Sequence, residues 1–434
     1  MKRLGLIILA AAVVIAAAVA VFLLKPASLP DVSVAQAALP TGQALIDRGE
    51  YLARAADCVA CHTTSGGKPY AGGLAFKLPF GTLYAPNITS DKETGIGYWS
   101  DAEFVRALHQ GIDRQGHNLY PAFPYAAYAR MTAEDALAIK AYLFSLPAVH
   151  ADAPKNDLVF PFNQRYVMRF WNLLFVPDGA FQPNTSESAE WNRGAYLVEA
   201  MAHCGECHTP RNVFYALDSG KTFAGAELQG WKAYNISSDN RTGIGNWTDE
   251  QLFDYLSKGH AEGRGSPTGS MGEAVDYSLR HLTPEDIKAI VAYVKTVPPQ
   301  VSSDQAIVEA EPATLKASTA YAPSGDAAAQ GGLGLKLFQG ACASCHGWNG
   351  EGLQTPYAAL RGSRTVNDPE GTNLIQVILK GAHMTTATGA QSMPAFANAY
   401  SNVEIAALGN YVLAHFGGKQ SAVTPADVAK ARTQ

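Results

Sequence analysis

Three times along the chain, two cysteines stand three residues apart with a histidine directly after the second: Cys58, Cys61 and His62; Cys204, Cys207 and His208; Cys342, Cys345 and His346. The first two sets lie in near-copies of one stretch, RGEYLARAADCVACHT from Arg48 and RGAYLVEAMAHCGECHT from Arg193, while GLKLFQGACASCHG from Gly334 is a looser third copy. The spacing suits one turn of helix, so both sulfurs can reach the two vinyl groups of one porphyrin, with the adjacent imidazole falling on its iron. A lone pair of this kind also reads as half a zinc site or as a redox dithiol. Zinc would normally pair two such units, and all six cysteines of the chain are already in motifs that each carry their own histidine. The sequence therefore predicts three covalent haem c groups, anchored on the cysteines, with His62, His208 and His346 as proximal ligands.

A chain of 434 residues has a soft prior of about three domains, which matches three motifs. Only 16% of residues are charged, below the roughly 25% of soluble domains. That scarcity fits domains that each wrap a large apolar cofactor, in a membrane-associated setting. Lys plus Arg number 33 against 38 Asp plus Glu, and no basic tract is present, so nucleic acid is excluded as a partner.

Lys2 and Arg3 precede Gly5–Leu24, an apolar run long enough to span a bilayer, and the basic flank keeps the N-terminus cytoplasmic. A cleaved signal peptide usually has a shorter apolar core, and the cleavage-like Ala35-Gln36-Ala37 lies well beyond this one. The expectation is an uncleaved anchor over 1–25, holding an exported body at the inner membrane on its periplasmic side.

The stretch Asn87–Gly111 is matched closely by Asn235–Gly259. In both, a Gly-rich turn leads through a tryptophan, Trp99 or Trp247, into a helix opened by a capping box, Ser100 with Glu103 and Thr248 with Gln251. The repeats are therefore whole domains. The two tryptophans either line a haem crevice or pack in the core. Capped helices starting at Thr132, Thr283 (with Pro284 next) and Ser401 close the three domains. A motif-bearing helix crossed by a C-terminal helix describes the all-α cytochrome c fold, and no run of alternating strands competes with it. The predicted layout is a domain over 41–147, an aromatic strap over 148–190 and a second domain over 191–298. An Ala-, Ser- and Pro-rich flexible connector over 299–330 then leads to a third domain over 331–418. The strap, with Phe160, Phe162, Tyr166, Phe170, Trp171 and Phe175, is too apolar for a free linker and suits packing on its neighbours, a docked partner or a membrane surface.

Methionine opposite the histidine raises a haem's potential, and in cytochromes c it sits in a loop before the last helix. Met393 in SMPAF and Met271 in GSMGE hold that place in the third and second domains. In the first, Leu119–Tyr125 puts Phe123 there, and phenylalanine cannot bind iron. Met131, His117, His109 or an open site remain as alternatives.

With these motifs the chain resembles the three-haem cytochrome c subunits of bacterial membrane-bound dehydrogenases. The resemblance covers nearly everything after residue 43, including RGEYL, the Gly-Ile-Gly turns before Trp99 and Trp247, and CHTPRN over Cys207–Asn212. Family members commonly carry YPAMPY where this chain has YPAFPY, a departure that leaves the first haem's ligation open. YPAFPY and FPFNQR, over Phe160–Arg165, are closer to subunits that serve molybdenum hydroxylases. The resemblance implies a separate catalytic dehydrogenase subunit, a quinoprotein, flavoprotein or molybdenum enzyme, whose electrons pass through the haems to membrane ubiquinone or a terminal oxidase. The sequence agrees in offering no nucleotide fingerprint and no nucleophile with its base. A self-sufficient, peroxidase-like enzyme working at an open first haem is the competing class, and Phe123 is the feature in its favour.

Overall fold

The computed structural model of the chain describes residues 2–24, 27–301, 326–386, 389–418 and 422–434. It divides into two compact units, Met1–Ala53 with Cys61–Gln182, and Arg54–Ala60 with Pro183–Gln434.

The first unit follows the chain through α1 (Lys2–Leu24), α2 (Ser33–Ala38), α3 (Gln43–Ala55) and α4 (Cys58–Cys61), the last two running across the division between units. Then come β1 (Ala75–Leu78), β2 (Gly81–Tyr84), α5 (Asp101–Gln110), α6 (Tyr125–Tyr128), α7 (Ala133–Ser145), β3 (Asp157–Leu158) and α8 (Met168–Phe175). The organising contact is the crossing of α3 over α7. A β-carbon at Gly49 would lie 1.9 Å from the Ala138 carbonyl oxygen, so the helices approach this closely only because that position has no side chain. Arg48 pins the crossing with a 2.6 Å ion pair to Asp135 in the first turn of α7. The predicted capping box at Ser100 and Glu103 is formed, and α5 stops at Gly111 in the left-handed conformation with φ 62°. Helix α2 packs on α7, with Val32 and Ala35 buried.

The second unit repeats this plan twice. Its elements are α9 (Ala189–Tyr196), α10 (Gly205–His208), β4 (Ala226–Leu228), β5 (Trp231–Ala233), α11 (Asp249–Lys258), α12 (Gly269–Tyr277) and α13 (Pro284–Val294). There follow α14 (Asp326–Ala341), α15 (Ala343–His346), α16 (Arg364–Asn367), α17 (Thr372–Lys380), β6 (Ala382–Thr386), β7 (Gly389–Met393), α18 (Asn402–Gly417) and α19 (Pro425–Arg432). The same glycine sits at each crossing: a β-carbon would meet the Ala289 carbonyl oxygen at 1.9 Å from Gly194 and that of Ala407 at 2.3 Å from Gly334. Arg193 repeats the clamp as a fork on Asp286, at 2.8 and 2.7 Å. Phe338, Leu408, Leu413 and Phe416 form the centre of the last core, which continues into α19 through the fully buried Val428.

Helices dominate, but all-α is too strict a description. Three short antiparallel sheets are present among the described residues, β1-β2-β3, β4-β5 and β6-β7. The connector expected over 299–330 falls mostly outside the described residues.

Candidate functional site

Each motif presents its histidine in the same way. The Nδ1 of His62 bonds the Pro86 carbonyl at 2.8 Å, that of His208 the Tyr234 carbonyl at 2.6 Å, and that of His346 the Ala358 carbonyl at 2.6 Å. A carbonyl can only accept, so Nδ1 carries the ring proton and Nε2 keeps its lone pair for a metal. Burial lowers the pKa of all three rings and favours the neutral, ligating form.

At Cys204 and Cys342 the thiols differ from those of a redox dithiol, which works as a thiolate. Burial pushes the Cys204 thiol up to about 12 and the Cys342 thiol to about 11. Among the described residues, no three His, Cys, Asp or Glu side chains converge as a metal cluster. The chain enters the first two motifs through a sharp turn: Asp57, directly before Cys58, has φ 51°, and His203, directly before Cys204, has φ 39°. Left-handed backbone is uncommon outside glycine and collects at functional sites. Here it turns the long helix into the short turn that carries the sulfurs.

The expected sixth ligands fare differently. Met393 ends β7 and packs on the core cluster that includes Cys342 and Ala343. Met271 is half-buried in the first turn of α12, a helix where a loop was expected. In the first unit the Phe123 ring packs tilted against those of Tyr128 and Tyr125, at 5.6 and 6.2 Å between ring centres. Met131 is fully buried where α7 begins, as a core side chain would be. His117 is exposed and lies 3.3 Å from the Asp113 carboxylate. His109 bonds the Met131 backbone, and its Nε2 is buried with no hydrogen-bond partner among the described residues. Trp247 packs in the core, edge-on to Tyr255 at 5.3 Å and 5.0 Å beneath the Arg264 guanidinium.

Sequence reasoning missed Arg364. From α16 its guanidinium donates to the Asn235 carbonyl at 3.1 Å and the Thr242 carbonyl at 2.5 Å, and it lies 4.5 Å over the Tyr234 ring. Tyr234 is the residue whose carbonyl holds His208. Burial lowers the Arg364 pKa to about 10, which leaves it charged at neutral pH. Alongside, Lys232 on β5 pairs with the buried Asp368 at 3.3 Å, and Asn373 satisfies the β5 backbone at Lys232 with bonds of 2.8 and 2.9 Å. No sequence signal marks these contacts, because each joins positions more than a hundred residues apart.

A family model described as "Cytochrome c" matches residues 46–147, and one described as "Cytochrome C oxidase, cbb3-type, subunit III" matches 329–412. The fructose dehydrogenase cytochrome subunit of Gluconobacter japonicus is 39% identical over 399 residues, 89% of this chain and 82% of the relative. The gluconate 2-dehydrogenase cytochrome c subunit of Pantoea cypripedii is 37% identical over 405 residues, 90% of each. A nicotinate dehydrogenase subunit of Pseudomonas putida is 39% identical over 384 residues, 87% of this chain. The chain spans only 31% of that relative's length.

Proposed function

Because the chain belongs to the cytochrome c subunits of membrane-bound dehydrogenases, we propose that it carries three covalent haem c groups and relays electrons from a partner dehydrogenase to membrane ubiquinone or a terminal oxidase. The observation that carries this reading is the threefold Nδ1-to-carbonyl bond of His62, His208 and His346, which leaves one ring nitrogen of each open beside a pair of thiols. A bound haem c supplies a reversible one-electron iron couple. The chain's own work would be to anchor and orient: Cys58 with Cys61, Cys204 with Cys207 and Cys342 with Cys345 would hold the porphyrins, and the carbonyl-bound His62, His208 and His346 would offer Nε2 to the iron. Met271 and Met393 are the proposed sixth ligands of the second and third haems. Three domains, 41–147, 191–298 and 331–418, each hold one haem.

Helix α1, long and apolar enough to cross a membrane, is the proposed anchor, with the haem domains on the periplasmic side. Retention is favoured by α2, whose Ala35 is buried and whose Gln36 bonds Asp101 at 2.7 Å. The cleavage-like segment is thus part of the folded first unit.

The test is a purified chain with and without its dehydrogenase. Alone it should not oxidise alcohols, sugars or aldehydes, and its haems should reduce when substrate is added to the complex. Substrate turnover by the chain alone would favour the self-sufficient enzyme, for which Phe123 is the supporting feature.

A further inference from the structure

A helix at the surface of a water-soluble body turns its apolar stripe inward. Helix α8 and the single turn before it, Arg165–Val167, do the reverse. Tyr166, Val167, Phe170, Leu173 and Leu174 recur at the spacing of one helical face, and all five are exposed, Leu173 by 68% and Leu174 by 66%. The inward side holds Asn172, which bonds the Tyr125 hydroxyl at 2.8 Å and the Gln110 carbonyl at 3.0 Å, and Trp171, edge-on to Tyr125. The orientation is therefore locked by polar contacts on the buried side, with the greasy side left outward.

What lies against α8 identifies the occupant. The Phe170 ring packs on Phe22, near the C-terminal end of α1, with centres 5.1 Å apart. Arg169 lies 5.4 Å over the same Phe22 ring and donates to the Leu23 carbonyl at 3.2 Å. Four residues ahead of Tyr166, Phe162 stacks on Phe80 at 4.5 Å, and the neighbouring Phe160 is 77% exposed. The apolar face is thus continuous with the point where the spanning helix leaves the bilayer core, and aromatic and arginine side chains gather there as they do at membrane interfaces.

We propose that α8 is a second, in-plane membrane contact, with its Tyr166–Leu174 face seated in the headgroup–acyl boundary of the lipid bilayer beside α1. This rests on α1 being a retained anchor. The contact fixes the first unit against the membrane surface, where a lipid-soluble electron acceptor is confined.

Nitroxide labels test it, placed singly on L173C, F160C, V13C and V213C in the full chain in phosphatidylethanolamine–phosphatidylglycerol vesicles. Full haem absorbance confirms that each variant is folded. Collision rates are read with oxygen, which concentrates in lipid, and with a water-soluble nickel complex. The oxygen-to-nickel ratio at Leu173 and Phe160 should exceed that at the 95% exposed Val213 several-fold, and fall below that at Val13. Ratios equal to that of Val213 would overturn the proposal, as would shielding of Leu173 from both reagents once the partner dehydrogenase is bound. A water-accessible or missing Val13 instead condemns the anchor itself, a separate failure that takes the proposal with it.

Discussion

Replacing Arg364 with methionine removes a cation 4.5 Å above Tyr234, whose carbonyl accepts the hydrogen bond from His208 Nδ1. A nearby positive charge disfavours the ferric state, so R364M should lower the potential of the Cys204/Cys207 haem on the order of 50 mV, close to the 59 mV of a tenfold one-electron shift. R364K should retain much of it, and a redox titration of the three haems checks both. At Phe123 the expectation is a first haem without a thioether ligand. In a chain lacking both Met271 and Met393, the thioether-to-ferric-iron absorption band should vanish entirely. Its survival would point to Met131, which is fully buried beside His109. The three cysteine-pair-and-histidine motifs are legible in the sequence because the covalent attachment proposed for them demands a fixed local spacing. Arg364 was not, because its partners are the backbone carbonyls of Asn235 and Thr242, which carry no residue-type signal.

Helix ends were read well from single residues. The capping boxes at Ser100, Thr248 and Ser401 are all formed, since such a cap depends on four consecutive positions. The sheets were not read, because strands of two to five residues are too short for alternation to register. The helix of Met271 was also missed, its GSMGE start looking like loop. The crossing glycines stand in the repeats themselves, but the reason for them lies in the partner helix. A β-carbon at Gly334 would come within 2.3 Å of the Ala407 carbonyl oxygen, whereas at Gly332 it would meet nothing within 4 Å. G334A should therefore destabilise the third domain by about 1–3 kcal/mol, while G332A, in the same helix, should be neutral or stabilise it by up to about 1 kcal/mol. Thermal unfolding followed at the haem absorbance separates the two.

At the scale of the whole chain, the repeats predict three domains and the structure groups them as two units. The second and third motifs share one unit because Lys232, Arg364, Asp368 and Asn373 interlock across it. The buried Lys232–Asp368 ion pair adds little net stability of its own. A fixed relation between the second and third motifs would suit the proposed relay, in which an electron must find its next carrier at a set distance. All of this requires that every motif be loaded. Mass measurement of the purified chain under denaturing conditions decides it, since only covalently held groups survive: polypeptide plus three haem c groups is expected, and two or fewer would contradict it.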